Sequence, residues 1–191
     1  MNKLAIFASG SGSNAQRIAE YFKDNPHVEV ACILSNRADA FVLERARTLG
    51  IPSELFSRAD LYDSERVIRL LQAYSATFIV LAGFLWKLPE QLLEAYPNRI
   101  LNIHPALLPK YGGKGMFGNH VHKAVVENRD TETGITIHKV NDCYDEGEIL
   151  FQSRCEVLPS DTPEQVANKV HALEYQWFPV IIDRYLATLS Q

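Results

Sequence analysis

Cysteine is scarce in this chain. The three residues Cys32, Cys143 and Cys155 are odd in number, widely spaced and never in a CxxC pair, so they read as reduced cytosolic thiols in or near a core. No run of five or six like charges occurs and the net charge is -4, so no basic face for a polynucleotide is advertised, although a local phosphate pocket is compatible with that balance. No apolar run reaches membrane-spanning length. The short apolar segment after Met1-Asn2-Lys3 is also too brief for the core of a signal peptide. The expectation is a soluble, cytoplasmic protein with no membrane and no nucleic-acid partner. Repeats, linkers and low-complexity tracts are absent as well. With 47% hydrophobic and 22% charged residues over 191 positions, the chain is expected to form one domain with a real core, and disorder is excluded.

Apolar runs and amphipathic stretches take turns along the chain. Leu4-Ala5-Ile6-Phe7-Ala8 is continuous in the way a strand buried on both faces requires. A helical pattern follows the glycines through Ile18, Ala19 and Phe22 to about Lys23. A second strand is predicted over 28–34, then a helix over 40–49 stopped by Gly50, a short strand near 53–56 and an amphipathic helix over about 61–74. The strongest strand is 77–82, and Arg99-Ile100-Leu101 begins another. After a glycine-rich loop, His120 and His122 open a helix to about Asn128, and strands are predicted over 134–140 and 149–157. Thr162-Pro163-Glu164-Gln165 is a capping box with proline at the first helical position. It starts a long helix, apolar at Val166, Val170, Leu173 and Trp177, which Pro179 is expected to break or kink. The predicted class is α/β: a doubly wound, mostly parallel sheet with helices on both faces and antiparallel strands in the C-terminal part.

Ligands of such sheets gather at the carboxyl ends of strands, where residues 10–14, 83–88 and 102–109 all fall. Ser9-Gly10-Ser11-Gly12-Ser13-Asn14 sits between a strand and a helix, the arrangement that cradles phosphate on free N–H groups, although Ser13 or Asn14 could equally be a plain helix cap. In Leu101-Asn102-Ile103-His104-Pro105, strand alternation turns Asn102 and His104 to the same side. A neutral donor beside a group that titrates near neutrality suits a developing oxyanion. A carboxylate in the acidic turn could orient His104 and keep it protonated, and Asp142, Asp145, Glu146 and Glu148 compete for that role on spacing. His120 and His122 lack a carboxylate or cysteine at metal-motif spacing, so no metal is expected. His138 is as compatible with an ordinary sheet residue as with a site. His171 with Glu174 is an i, i+3 pair. Nucleophilic catalysis has little support, since neither a GxSxG elbow nor a cysteine in a basic context occurs. A dinucleotide is the rival ligand, because Gly10-Ser11-Gly12-Ser13-Asn14-Ala15 fits GxGxxA. The acidic residue expected after the second strand is replaced by Ser35-Asn36-Arg37, which leaves only NADP through Arg37. A nucleotide-binding module without chemistry is the third reading.

Ser9-Gly10-Ser11-Gly12-Ser13-Asn14, Leu81-Ala82-Gly83-Phe84, the stretch from Asn102-Ile103-His104-Pro105 through Ala106-Leu107-Leu108-Pro109, and Asp145 together resemble the phosphoribosylglycinamide formyltransferase family, a branch of the folate-dependent formyltransferases. The likeness covers nearly the whole chain in order. Its HPxLLP segment is specific to the folate-dependent group, and the phosphate loop and chain length favour this branch over methionyl-tRNA formyltransferase or formyltetrahydrofolate hydrolase. It implies formyl transfer from 10-formyltetrahydrofolate to the amine of N1-(5-phospho-D-ribosyl)glycinamide in purine (IMP) biosynthesis, without metal. By the same likeness Asn102, His104 and Asp145 are catalytic. Gly12, Ser13 and Asn14 hold the substrate phosphate, and Glu174 contacts the glycinamide end. Leu85, Trp86, Lys87 and Leu88, with Asn102 and Asp142 to Asp145, serve the folate, and Leu108-Pro109 is cis. The halves about 1–100 and 101–191 are then nucleotide-binding and folate-binding with catalysis, and the partners are small molecules acting on a monomer or weak homodimer. The chain departs from the family pattern in three places. Loop 112–118 is longer and richer in glycine. The basic residue after the third strand is Arg66, with Glu65 nearer the expected slot. The C-terminus at Gln191 is short.

Overall fold

The computed structural model describes residues 1–189; the C-terminal end at Gln191 lies outside the described residues. The chain forms two compact units, Met1–Leu101 and Asn102–Gln191. Among the described residues, no helix is long and apolar enough to cross a membrane.

In the first unit β1 (Asn2–Phe7), β2 (Val28–Ser35), β3 (Ser53–Leu55) and β4 (Phe78–Leu81) are ordered β3-β2-β1-β4, and every neighbouring pair is parallel. The central strands are those with continuous apolar runs: Leu4 to Phe7 and Phe78 to Val80 have no exposed surface, because helices cover both faces. α1 (Ser13–Phe22) buries Ala15, Ile18, Ala19 and Phe22, one helical stripe. α2 (Val42–Leu49) ends at Gly50, whose left-handed backbone turns its N–H back to the last carbonyls.

Two expectations here are corrected. The single helix predicted over 61–74 is two, α3 (Arg58–Tyr62) and α4 (Arg66–Ala73). Ser57 and Asp60 form a capping box that starts α3 earlier, and Asp63 ends it. The short α5 (Glu90–Ala95) was not predicted; at six residues its apolar pattern shows little more than the buried Leu92.

β5 (Ile100–His104) runs across the boundary between the units. In the second unit α6 (Asn119–Glu127) precedes an antiparallel pair, β6 (Glu132–Lys139) and β7 (Ile149–Glu156). The parallel pairs of the first unit and this hairpin match the predicted α/β class. α7 (Pro163–Leu189) begins at the predicted capping box, with Thr162 N–H on Gln165 and Gln165 N–H on Thr162 Oγ1. It does not break at Pro179, which is buried within a continuous helix. Proline has no N–H to close its turn of the helix, and packing by Phe178, Ile181, Ile182 and Leu186 holds the helix through it.

The face of α6 against α7 carries Val121, Val125 and His122, and His122 is 1% exposed with its ring 6.2 Å from that of His171. Burial, and then the charge on His171, lowers His122 to about 4. The folded state therefore binds fewer protons than the unfolded one between about pH 4 and 6.5, and stability falls as the pH drops through that window. The full loss is about 3 kcal/mol. Urea unfolding at pH 7.5 and 4.5 should show wild type losing most of that difference relative to His122→Gln. Equal pH dependence in the two proteins would contradict this account.

Candidate active site

The loop that follows β5 is held by side chains of the hairpin. Thr136, fully buried on β6, accepts the Leu108 N–H (3.0 Å) and donates to Ala106 O (2.7 Å). Gln152 on β7 donates from Nε2 to Leu108 O (3.0 Å) and to Thr136 Oγ1 (2.8 Å). These bonds satisfy the polar groups of a buried loop that forms no ladder of its own. The Leu108-Pro109 peptide is cis, as the family resemblance implies.

On that support Asn102, His104 and Asp145 converge. Asp145 lies 3.4 Å from His104 Nδ1 through Oδ2, and Asn102 Nδ2 is 3.5 Å from its Oδ1. Gly113 N–H donates to Oδ2 at 3.0 Å. Burial alone would raise the Asp145 carboxyl, but the neighbouring His104 imidazole and the Gly113 N–H outweigh it and hold the group well below the usual carboxylate range. Its three acidic rivals are elsewhere: Asp142 and Glu146 are exposed, and Glu148 pairs with Lys139 at 2.7 Å.

His104 is 4% exposed, and its Nε2 donates to the Tyr111 carbonyl at 2.7 Å. The ring gives one N–H to a carbonyl and turns its other nitrogen to the Asp145 carboxylate, beside the Asn102 amide. Such a pair can stabilise negative charge developing on an oxygen placed against it.

His138 belongs to this cluster, which its alternation in a strand did not reveal. Its Nδ1 donates to Lys139 O (2.8 Å), and its Nε2 receives the Asn102 amide N–H (3.1 Å). Asn102 is thus oriented by His138 as well as by Asp145. Tyr111, Gly113 and Thr136 were missed too. Their roles run through backbone groups or through contacts distant in sequence, and only the polar inward face of β6, with Thr136 and His138 two apart, carries a signal in the chain itself.

Glu174 on α7 is 6% exposed. It continues the buried stripe of Val166, Val170 and Phe178, so a carboxylate stands where an apolar residue is the rule. Leu173 and Trp177, predicted for that stripe, are only half-buried. Asp142 stays exposed, and His120 is an exposed ring edge-on to Phe117. Among the described residues, no group of three or more His, Cys, Asp or Glu could hold a metal ion.

In the first unit the glycine loop departs from one expectation. Neither Ser13 nor Asn14 caps α1; the N-cap is Gly12, in the left-handed region at φ 73°, with no side-chain cap bond. A Cβ at Gly12 would lie 2.4 Å from Val42 Cγ2, so the close approach of α2 also demands glycine. Arg45 of α2 holds the loop by donating to Ser11 O (2.8 Å) and bonding Gln16. Ser9 Oγ donates to Asn36 Oδ1 (2.7 Å) and accepts the Leu85 N–H (3.1 Å). The residue after β2 therefore braces the loops that follow β1 and β4, and Arg37 is engaged by Asp39 at 2.7 Å; neither is arranged as a dinucleotide clamp. After β4, Leu85 is 38% exposed and Leu88 buried, while Trp86 packs among Phe56, Tyr62 and Phe84. Tyr62 donates to Lys87 O (2.7 Å). Arg66 opens α4 with Asp60 at 3.7 Å, and Glu65 is the N-cap of that helix.

Parallel strands with helical crossovers, an antiparallel hairpin and an imidazole–carboxamide–carboxylate cluster are features of a group-transfer enzyme, and residues 2–182 match the formyl transferase family, to which this chain belongs. More particularly, it is similar to proteins named phosphoribosylglycinamide formyltransferase. The chloroplastic protein of Arabidopsis thaliana is 42% identical, covering 94% of this chain and 64% of that protein. That of Escherichia coli (strain K12) is 36% identical, covering 94% and 84%. The crystal structure of glycinamide ribonucleotide transformylase 1 from Symbiobacterium toebii superposes with a TM-score of 0.86 at 34% identity, covering 95% of this chain and 86% of that one. The chain spans 64% and 60% of the plant relatives from Arabidopsis thaliana and Vigna unguiculata.

Proposed function

We propose that this chain transfers the formyl group of 10-formyltetrahydrofolate to the amine of N1-(5-phospho-D-ribosyl)glycinamide, a step of purine (IMP) biosynthesis, in the cytoplasm. The observation that carries the reading is the buried His104 between the Asp145 carboxylate and the Tyr111 carbonyl, beside the Asn102 amide. The amine attacks the formyl carbon, and the carbonyl oxygen becomes an oxyanion in the field of the imidazolium and within reach of the amide. Collapse re-forms the carbonyl and breaks the bond to the folate N10. The proton lost by the amine replaces the formyl group on N10, relayed by water. Asp145 stays ionised throughout and keeps His104 charged and oriented.

The remaining assignments rest on the family likeness together with local structure. The start of α1 at Gly12, Ser13 and Asn14 directs backbone N–H groups and the positive helix end toward the phosphate. Glu174, buried in an apolar stripe, takes the glycinamide end. Leu85, Trp86, Lys87, Leu88, Asn102, Asp142 and Arg66 serve the folate. The working state is a monomer or weak homodimer without a required metal.

The direct test offers 10-formyltetrahydrofolate with glycinamide ribonucleotide, with initiator methionyl-tRNA, or with water alone. Only the first mixture should consume the folate quickly. Rapid consumption with either other mixture would reassign the acceptor. Ser13→Ala with Asn14→Ala should raise KM for the phosphorylated acceptor about tenfold and leave kcat little changed, as expected for lost ground-state binding. A dephosphorylated acceptor used equally well by wild type would refute the loop's role.

A further inference from the structure

His104 makes one contact that charge pairing does not explain: its Nε2 points to a backbone carbonyl seven residues on, in a glycine-rich loop. Tyr111, which supplies that carbonyl, has φ 57°, a left-handed conformation unusual for an aromatic residue. Such a backbone persists only where its surroundings hold it. Here the far end of the side chain is held. The phenol donates to Asp130 Oδ2 (2.8 Å) and accepts from Asn128 Nδ2 (2.8 Å).

Both partners are themselves fixed at the end of α6. Arg129 turns into the left-handed region at φ 55°, with its N–H on Val126 O (3.0 Å), and Asp130 N–H returns to Val125 O (3.1 Å). That is a helix-terminating motif that sets the backbone of residues 128–130. Lys110 Nζ then contacts both Asp130 oxygens at 2.7 Å.

We propose that Tyr111, Asn128 and Asp130 are positioning residues for formyl transfer: anchored by its phenol at the end of α6, Tyr111 presents its carbonyl to His104 Nε2 and fixes the imidazole for the oxyanion. Asp145 alone cannot do this, because one contact at 3.4 Å leaves the ring free to swing about it. Two acceptors on opposite nitrogens define the ring plane. Burial raises the Tyr111 phenol, so it remains a donor at neutral pH, and the Asp130 carboxyl is lowered against the effect of its burial by Lys110 and Tyr111, so it remains an acceptor.

The inference rests on the proposed reaction, so its test has a readout independent of activity. In wild type the buried His104 Nε2–H should give a resolved, slowly exchanging proton resonance. In Tyr111→Phe that resonance should be lost to exchange, kcat should fall about tenfold, and KM should change less than about twofold, as expected for misplacement of a group that acts in the transition state. Asp130→Ala should match Tyr111→Phe, whereas Asp130→Asn keeps an acceptor for the phenol and should restore most of the rate. The double variant Tyr111→Phe/Asp130→Ala should be no slower than either single one. A folded Tyr111→Phe protein with wild-type kcat or an unchanged Nε2–H resonance would overturn the proposal, as would additive losses in the double variant. If wild type itself transfers no formyl group, the reaction assignment fails, while the resonance still decides whether Tyr111 anchors His104.

Discussion

His104→Ala is expected to lower kcat by at least ~10²-fold with little change in KM, the behaviour of a group whose interaction is made in the transition state. The reasoning starts from burial. His104 is 4% exposed and holds Asp145 on one nitrogen and Tyr111 O on the other, so water screens its electrostatic interactions poorly. Alanine removes the ring and leaves Asp145 with the Gly113 N–H and the Asn102 amide, which keeps the carboxylate tolerable and the fold assembled. Asn102→Ala and Asp145→Ala should each produce a comparable loss, the first by removing the amide donor and the second by releasing the imidazole. Steady-state kinetics with both substrates varied, alongside circular dichroism to confirm folding, would measure all three. A folded His104→Ala enzyme with near-normal turnover would end the proposed mechanism.

Gly147→Ala is expected to be the most disruptive single-methyl change in the second unit. A Cβ there would lie 1.7 Å from Lys139 O and 3.2 Å from His138 Nδ1. Lys139 O accepts the His138 Nδ1–H, and the Lys139 N–H reaches Glu148 O at 2.9 Å, so the blocked atom is part of a hydrogen-bonded backbone that cannot rotate away. The peptide would have to shift, at a cost of about 3 kcal/mol. The shift would also carry His138 out of reach of Asn102, so kcat should fall by at least about tenfold even where the protein remains folded. Gly10→Ala is the control, since a Cβ there meets nothing within 4 Å. Chemical unfolding of the two variants should differ by about 3 kcal/mol, and a Gly147→Ala protein as stable as Gly10→Ala would show that the Lys139 peptide yields freely.

The apolar run at β1, the stripe of α1 and the capping box before α7 were legible because each rests on residues a few positions apart. Elsewhere local signals compete. Ser57 and Asp60 make a capping box that moves and divides the predicted helix, and Pro179 carries a breaking signal that its apolar neighbours overrule.

In the cluster around His104, strand alternation is enough to place Asn102 and His104 on one face at the end of a strand, because side chains on any strand alternate. An acidic turn follows later, with four carboxylates to choose from. That Asp145, rather than Asp142, Glu146 or Glu148, meets His104, and that His138 and Tyr111 contact the two central residues, follows from how the chain packs. The contacts of this cluster, Asn102 to Asp145 included, join residues up to 43 positions apart. They depend on the register of β6 against β7 and on how the turn between them folds back, quantities that strand periodicity leaves open. Alternation tells which way a side chain points. What it meets there is set by the packing of other elements.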